Sequence, residues 1–185
     1  MTDTALILID IQYDYFDGGR MTLPHIDAAA ENASRLLADF RQRGAPLFHI
    51  RHINASHEDP YIRPDSKGHE IPPVVAPLPS EPVIIKNRPS AFVGTDLAER
   101  LQAAGITRLV ICGAMSQMCV DATTRAAVDL GFDVTIAHDA CAAANVSFGG
   151  TDVTAAQVHA AIMAPLAAAY AKVVATRDFV QPVAA

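Results

Sequence analysis

Short, unbroken aliphatic runs recur along the 185-residue chain and alternate with longer amphipathic stretches. Continuous rather than alternating apolarity is typical of a strand that is covered on both faces of a sheet. The alternation of strand and helix patterns therefore predicts an α/β fold with a mainly parallel, doubly wound sheet. The predicted strands cover residues 5–9, 46–53, 83–86, 109–112, 134–137 and 173–175.

Four helical patterns separate these strands, at residues 28–44, 97–104, from near Cys119 to Gly131, and at 151–169. Gly44, Gly105 and Gly131 stand where glycine commonly ends a helix. With 51% hydrophobic residues, the chain has enough apolar material for one core, and we expect a single domain over residues 1–185.

One stretch breaks the alternation. Residues 54–82 are rich in Pro, Asp, Ser and His and have no sustained period. A loop of this length inside a compact domain is usually functional, so we expect it to line a pocket. A mobile surface excursion is the alternative.

Charge and cysteine content exclude several classes of protein. The net charge of -6, with no cluster of Lys and Arg, argues against nucleic acid or a membrane surface as partner. Three cysteines, an odd number without paired spacing, indicate free thiols rather than a disulfide framework. The first apolar stretch ends at Asp10, which is too short for a signal peptide, and we expect a cytoplasmic protein.

Three reactive side chains follow three of the predicted strands. Asp10 and Lys86 end the first and third strands, and Cys119 lies just past the fourth. Because parallel strands share one carboxyl edge, these groups converge there if the first strand is central. We expect the helix dipole and Lys86 to lower the pKa of the Cys119 thiol, and Asp10 to take its proton and return it to a leaving group.

Each of the three residues also has a purely structural explanation. Asp10 can cap a loop, Lys86 can extend from a strand end to solvent, and Cys119 can act as a small buried hydrophobe. The coincidence of all three at one predicted edge favours an active site.

The surrounding segments resemble the isochorismatase-like cysteine hydrolases, a superfamily that includes nicotinamidases, N-carbamoylsarcosine amidases and streptothricin-hydrolase-like enzymes. The resemblance spans about residues 5–175 and rests on Leu-Ile-Asp-Ile-Gln-Tyr-Asp-Tyr-Phe around Asp10, Ile-Ile-Lys-Asn-Arg-Pro-Ser-Ala-Phe around Lys86, and Gly-Ala-Met-Ser-Gln-Met-Cys-Val-Asp-Ala-Thr around Cys119. It implies a three-layer α/β/α fold with a six-stranded parallel sheet. It also implies hydrolysis through a thioester, with Cys119 as nucleophile, Asp10 as general base and acid, and Lys86 orienting both.

The resemblance implies further features of the site. A cis peptide is expected between Ala114 and Met115, with an oxyanion hole formed by the backbone N–H groups of Met115 and Cys119. We also expect a small-molecule substrate and a homo-oligomer, either a dimer or a tetramer. We expect no cofactor.

A departure from one branch bears on metal binding. Nicotinamidases of the superfamily bind a metal through an Asp-x-His pair and a further His after the second strand. No Asp stands two places before a His in this region, which contains His52, His57 and His69. We therefore expect a metal-free enzyme, although the sequence leaves open whether one of these histidines binds a metal.

Residues near the predicted triad are candidates for substrate binding. Aromatic side chains are expected to form an apolar wall, a glutamine to bond an amide or carbonyl, and an arginine or histidine to meet a polar or anionic group. Phe16 and Phe92 have a core position as the alternative. The candidates are Tyr15, Phe16, Arg51, His52, Phe92 and Gln117. Cys112 and Cys141 are interpreted as structural, with His138 and Asp139 in a turn after the fifth strand.

The leading functional hypothesis is a small-molecule hydrolase that cleaves an amide, ureide or lactam-like C–N bond. Hydrolysis of an isochorismate-type vinyl ether is an alternative within the same superfamily. A non-catalytic redox sensor based on Cys119 is a third possibility, from a different class. Product formation across a panel of amides separates the sensor from the enzyme.

Overall fold

Six parallel strands form the central sheet of the computed structural model, which describes residues 3–180. The strands are β1 (Thr4–Ile9), β2 (Leu47–His52), β3 (Val83–Lys86), β4 (Arg108–Ala114), β5 (Asp133–Ala142) and β8 (Ala171–Val174). Between β5 and β8, a separate small hairpin consists of β6 (Val146–Phe148) and β7 (Thr151–Val153). The strand order across the central sheet is β3-β2-β1-β4-β5-β8. The predicted doubly wound α/β architecture is confirmed.

The helices cover the two faces of this sheet and give three layers. They are α1 (Ile26–Gln42), α2 (Leu97–Ala103), α3 (Asp121–Asp129), α4 (Ala155–Ala169) and the short α5 (Thr176–Phe179). The stripe of Leu36, Leu37 and Phe40 on α1 is buried in the main core, together with most of β1 and β4. Since β1 has strands on both sides and helices on both faces, its residues from Ala5 onward are all buried.

The boundaries around α4 differ from the prediction. Residues 151–153 form strand β7, because Gly149 and Gly150 both adopt positive φ and turn the chain back on itself. The helix begins only at Ala155, where Thr154 and Gln157 form a reciprocal capping box. Side-chain capping, rather than the apolar period, therefore sets the start of this helix.

Strand β5 is also longer than predicted. The predicted turn at His138 and Asp139 is wrong, since both residues lie within β5, where its register against β4 shifts between Ile111 and Gly113. Helix α1 also differs slightly from the prediction, since it begins at Ile26, two residues earlier than expected. No helix between residues 3 and 180 has the length and apolarity needed to cross a membrane.

Candidate active site

Asp10, Lys86 and Cys119 meet at the carboxyl edge of the sheet. The Lys86 Nζ atom lies 2.6 Å from Asp10 Oδ2 and donates a hydrogen bond to Cys119 Sγ at 3.2 Å. All three residues are buried, with relative exposures of 0% for Asp10, 2% for Lys86 and 5% for Cys119. The structure thus brings the three predicted catalytic residues within contact distance.

The topology of the sheet explains this convergence. Strand β1 lies between β2 and β4, and β3 lies beyond β2, so the Lys86 side chain approaches Asp10 past the end of β2. Asp10 turns out of β1 with φ of 48° while its N–H donates to Ile50 O at 3.1 Å. Close to it, Gly113 has φ of 128°, and a Cβ there would lie 1.9 Å from Ile9 O. The close approach of β1 and β4 therefore requires glycine at this position.

The Lys86 ammonium has two further acceptors. Its Nζ lies 3.0 Å from His52 Nδ1 and 3.1 Å from Arg88 O. An ammonium only donates, so His52 Nδ1 must accept, and His52 Nε2–H is then free to donate to Asn54 Oδ1 at 2.8 Å. Burial, and next the Lys86 charge, lower the pKa of His52, which fits this neutral tautomer.

Within residues 3–180, one group of three side chains has the spacing of a metal site. Asp10, His52 and Cys119 offer ligand atoms within 4.8 Å of one another. The Lys86 ammonium contacts all three residues, so it occupies the position that a cation would take. His69 is engaged elsewhere, with Nδ1 3.0 Å from Arg63 O, and the exposed His57 lies 3.6 Å from an Asp65 oxygen.

The protonation state of Cys119 differs from the expectation. Burial first, and the charge of Asp10 second, raise the pKa of Cys119 to about 12, and the opposing effect of Lys86 does not compensate. The predicted lowering of this pKa is therefore wrong, because burial and the Asp10 charge together outweigh the Lys86 charge. The resting sulfur is a thiol, and attack requires a base to remove its proton.

The Asp10 carboxylate lies beside this thiol, with an oxygen within 4.8 Å of the sulfur. Its Oδ2 is in ionic contact with Lys86 Nζ at 2.6 Å, and a hydrogen bond with Asp10 is one of the effects that raise the pKa of Cys119. Buried carboxylates in proteins are normally saturated with hydrogen bonds. This one keeps accepting capacity at the position where the Cys119 proton is available.

Cys119 lies on a tight turn after β4. The Ala114–Met115 peptide bond is cis, and residues Ser116–Val120 form a single π-helical turn that leads into α3. The Met115 carbonyl accepts from the N–H groups of Met118 at 3.0 Å and Val120 at 3.2 Å. The π-helical turn and α3 together cover residues 116–129, so the third helical segment begins near Cys119 as predicted.

The predicted substrate-binding residues are distributed unevenly around this centre. Tyr15 is buried, and burial together with the charges of Asp10 and Cys119 raises its pKa, which places its phenol near the triad. Phe16 is half-buried and packs against two apolar clusters. His52 contacts Lys86 directly, as described above. Phe92 instead stacks on Phe132 with ring centroids 6.1 Å apart, in agreement with its core alternative.

The two remaining candidates have unpaired polar atoms. Arg51 Nε and Gln117 Oε1 are buried and have no hydrogen-bond partner within the described residues. Gln117 Nε2 has only a weak contact, at 3.7 Å from the Met115 sulfur. Buried polar atoms left without partners are candidates for contact with a ligand.

Sequence reasoning missed several residues that shape the site. Gln12 is fully buried and donates through Nε2 to His52 O and His69 O, both at 2.8 Å, while its Oε1 accepts from His52 N at 2.8 Å. Asp14 accepts from the N–H of Ile62. Gln12 and Asp14, two polar residues shortly after Asp10, were the sequence signal for these contacts, but their partners lie about forty or more residues away in the chain.

These bonds attach the 54–82 loop to the site. Gln12 and Asp14 both bind its backbone, and Gly68 packs so closely on Asp14 that a Cβ would lie 2.1 Å from the carboxylate. Burial, and next the charge of Cys119, raise the pKa of Tyr61, so this loop residue lies near the sulfur.

Comparison with known proteins gives consistent matches. The model of the isochorismatase domain matches residues 4–178. The chain is 44% identical to an uncharacterized isochorismatase family protein of Bacillus subtilis (strain 168), over 96% of this chain and 99% of that protein. It is 35% identical to a streptothricin hydrolase of Streptomyces noursei, over 74% of this chain and 48% of that protein. The crystal structure of an isochorismatase from Pseudomonas putida KT2440 has a TM-score of 0.89 and 36% identity, covering 95% of this chain and 89% of that one.

Proposed function

The chain belongs to the isochorismatase family of hydrolases, and from that premise we propose that it cleaves a C–N bond of a small molecule through a thioester on Cys119. The bond is of amide, ureide or lactam-like type. One observation carries the proposal. The Lys86 ammonium contacts the Asp10 carboxylate at 2.6 Å and the Cys119 sulfur at 3.2 Å inside a buried site.

Acylation begins with the proton of the Cys119 thiol. Because the pKa of this thiol is raised to about 12, Asp10 takes the proton as the sulfur attacks the substrate carbonyl carbon, rather than before. The backbone N–H groups of Met115 and Cys119 are proposed to bind the resulting oxyanion, and such preorganised donors typically contribute about 3 kcal/mol each. Asp10 then gives the proton to the departing nitrogen, and the C–N bond breaks.

Deacylation repeats these roles with water. Asp10 takes a proton from a water molecule, whose oxygen attacks the thioester carbon, and then returns that proton to the departing sulfur. Throughout, the Lys86 ammonium keeps the carboxylate and the sulfur in fixed positions. His52 supports Lys86 as a neutral acceptor, which adds no second positive charge to the buried site.

The proposed role of Asp10 as a general acid fits a nitrogen leaving group. An amine is a poor leaving group unless it is protonated, so a general acid is needed, and Asp10 carries the thiol proton at that moment. The relative named for streptothricin hydrolysis supports a small-molecule substrate. We also propose that the 54–82 loop, which carries Tyr61, forms one wall of the substrate pocket, with Tyr15 and Gln117 on other walls.

The geometry gives less support to a redox sensor. Sensor cysteines are accessible and have a low pKa. Cys119 is 5% exposed, and its pKa is raised rather than lowered. Vinyl-ether hydrolysis does not require the thiol, so it leaves the contact between Lys86 and Cys119 without a role.

The decisive experiment is turnover on a panel of small amides, ureides and lactams, with streptothricin and isochorismate included. We expect hydrolysis of a C–N substrate by the wild type, a mass increase on Cys119 equal to the acyl group, and no turnover by Cys119→Ala with an unchanged circular dichroism spectrum. Equal activity of Cys119→Ala and the wild type would contradict the cysteine mechanism. Retained isochorismate hydrolysis in that variant would identify the vinyl-ether alternative.

A further inference from the structure

A second polar contact reaches the nucleophile turn from helix α4. Ser116, the first residue of the π-helical turn, is fully buried. Its Oγ lies 2.9 Å from His159 Nδ1 and donates to Ala142 O at 3.2 Å. His159 is outside the triad, and its contact with the site runs through Ser116.

The two contacts determine which group donates. A hydroxyl has a single hydrogen, and Ser116 uses it toward the Ala142 carbonyl, which can only accept. The bond to His159 therefore requires a proton on Nδ1, donated to Ser116 Oγ. Ser116 thus joins the nucleophile turn to β5 and to α4 at one atom.

The position of Ser116 links this bond to the proposed oxyanion donors. It follows the cis Ala114–Met115 peptide directly and precedes Cys119 by three residues. The two proposed oxyanion donors, the N–H groups of Met115 and Cys119, therefore lie on either side of it in the same short turn. Ala142 also pairs with Ala114 in the sheet, so β5 and α4 fix the turn from outside the triad.

Hydrogen bonds at its first residues fix the start of helix α4. Its start is held by the capping box of Thr154 and Gln157, and the Ala155 N–H donates to Asn145 Oδ1 at 2.7 Å. His159 lies one turn further along, half-buried, at the edge of a cavity of about 290 Å³ that His138 also lines. The imidazole thereby connects a rigid helix start to the nucleophile turn.

We infer that His159 is a positioning residue, whose Nδ1–H holds Ser116 and through it the oxyanion donors of Met115 and Cys119. The inference rests on the proposed function, because it gives His159 a role in the transition state for acylation. A displacement of about 1 Å at such donors can cost about 100-fold in rate. Ground-state binding depends on other walls of the pocket and changes little.

The test uses His159 variants of the full chain, with kcat normalised to the number of alkylatable Cys119 thiols. We expect His159→Ala to lower kcat about 10- to 100-fold with KM within about twofold. His159→Asn, whose amide nitrogen can take the place of Nδ1, should recover most of the loss, whereas His159→Gln, with its amide one bond further out, should not. His138→Ala removes a ring of the same cavity, 6.1 Å from His159, and should leave kcat unchanged.

A double-mutant cycle gives an independent readout. Ser116→Ala should reproduce the kcat loss of His159→Ala, and the double variant should be no slower than either single one, because both remove the same bond. Additive losses, or a His159→Ala enzyme with wild-type kcat beside an inactive Cys119→Ala enzyme, would overturn the inference and leave the cysteine mechanism intact. If His159→Ala folds poorly, the comparison of kcat between His159→Asn and His159→Gln tests the inference instead. Equal kcat in these two variants would also overturn the inference.

Discussion

Two clusters of charged groups along β2 and β3, one fully buried and one partly exposed, are built from the same kinds of side chain but differ in how their carboxylates are bonded. Each contains one histidine from β2, one carboxylate and one cation: His52, Asp10 and Lys86 at the carboxyl edge, and His49, Glu81 and Arg41 near the start of β3. In the second cluster the Glu81 oxygens accept from Arg41 Nε at 2.7 Å, Arg41 Nη2 at 2.8 Å and Leu78 N at 2.8 Å, and His49 Nε2 lies 3.1 Å away.

The difference lies in how completely each carboxylate is bonded. Glu81 is saturated, and these bonds, that from Arg41 first, lower its pKa to about 2. Asp10 has an ion pair with Lys86 and a contact with the Cys119 thiol, and within residues 3–180 it lacks the set of N–H donors that surrounds Glu81. A saturated carboxylate stabilises the fold, whereas an unsaturated one next to a thiol retains the capacity to move a proton. The comparison predicts opposite consequences for equivalent mutations.

The largest expected effect is on turnover. Asp10→Asn keeps the size and shape of the side chain but cannot take the proton of Cys119, so we expect kcat/KM to fall by about 10³- to 10⁴-fold. Glu81→Gln is the matched control and should retain kcat/KM within a few-fold. The measurement is steady-state hydrolysis of the panel substrate. A Glu81→Gln enzyme as inactive as Asp10→Asn would remove the distinction between the clusters.

The next effect is on stability, and it is expected in the other cluster. The lowering of the Glu81 pKa from 4.5 to about 2 sets an upper limit of about 3.5 kcal/mol, at about 1.4 kcal/mol per pKa unit, and solvent around the 30% exposed Arg41 side chain reduces this to about 1–2 kcal/mol. Glu81→Gln should therefore lower the free energy of unfolding at pH 7 by about that amount in urea titrations. Glu31→Gln, which breaks the exposed pair with Arg35, should change it by less than about 0.5 kcal/mol.

The pH dependence of unfolding checks the origin of that loss. Since the folded pKa of Glu81 is depressed, its contribution is complete above pH 4.5, the ordinary value, and is lost as the pH falls toward 2. The stability curves of the wild type and Glu81→Gln should therefore converge across this window. Parallel curves would mean that the glutamine variant is destabilised by packing rather than by loss of the carboxylate charge.

The same comparison shows what could be predicted from the sequence. Asp10, Lys86 and Cys119 could be placed together because the ends of parallel strands share one edge, which is a property of topology that local patterns reveal. The saturation of Glu81 and the bond between His52 and Lys86 depend on which segments 30 or more residues apart face each other. Such pairings leave no periodic signal in the chain.

Burial depth was the other quantity that the sequence did not reveal. The position of Cys119 at a helix start predicted a lowered pKa, but the packing of Tyr15 and of the 54–82 loop near the sulfur was not visible in any local pattern. Strand β7 was likewise absorbed into a predicted helix, since it has only three residues. In both cases tertiary context overrode the local pattern.

The smallest expected effect separates the two functions of the Asp10 charge. In the resting site this charge raises the pKa of Cys119, second only to burial. Asp10→Asn should therefore lower the pKa of the thiol and increase its alkylation by iodoacetamide at pH 8 several-fold, because more of the sulfur is then thiolate. Glu81→Gln, away from the sulfur, should alkylate at the wild-type rate. A variant that loses turnover while its thiol becomes more reactive and its circular dichroism spectrum stays unchanged would assign Asp10 to proton transfer; the spectrum is needed because disorder would also expose the thiol. Slower alkylation in Asp10→Asn would instead mean that the carboxylate activates the resting thiol, and the contrast with Glu81 would fail.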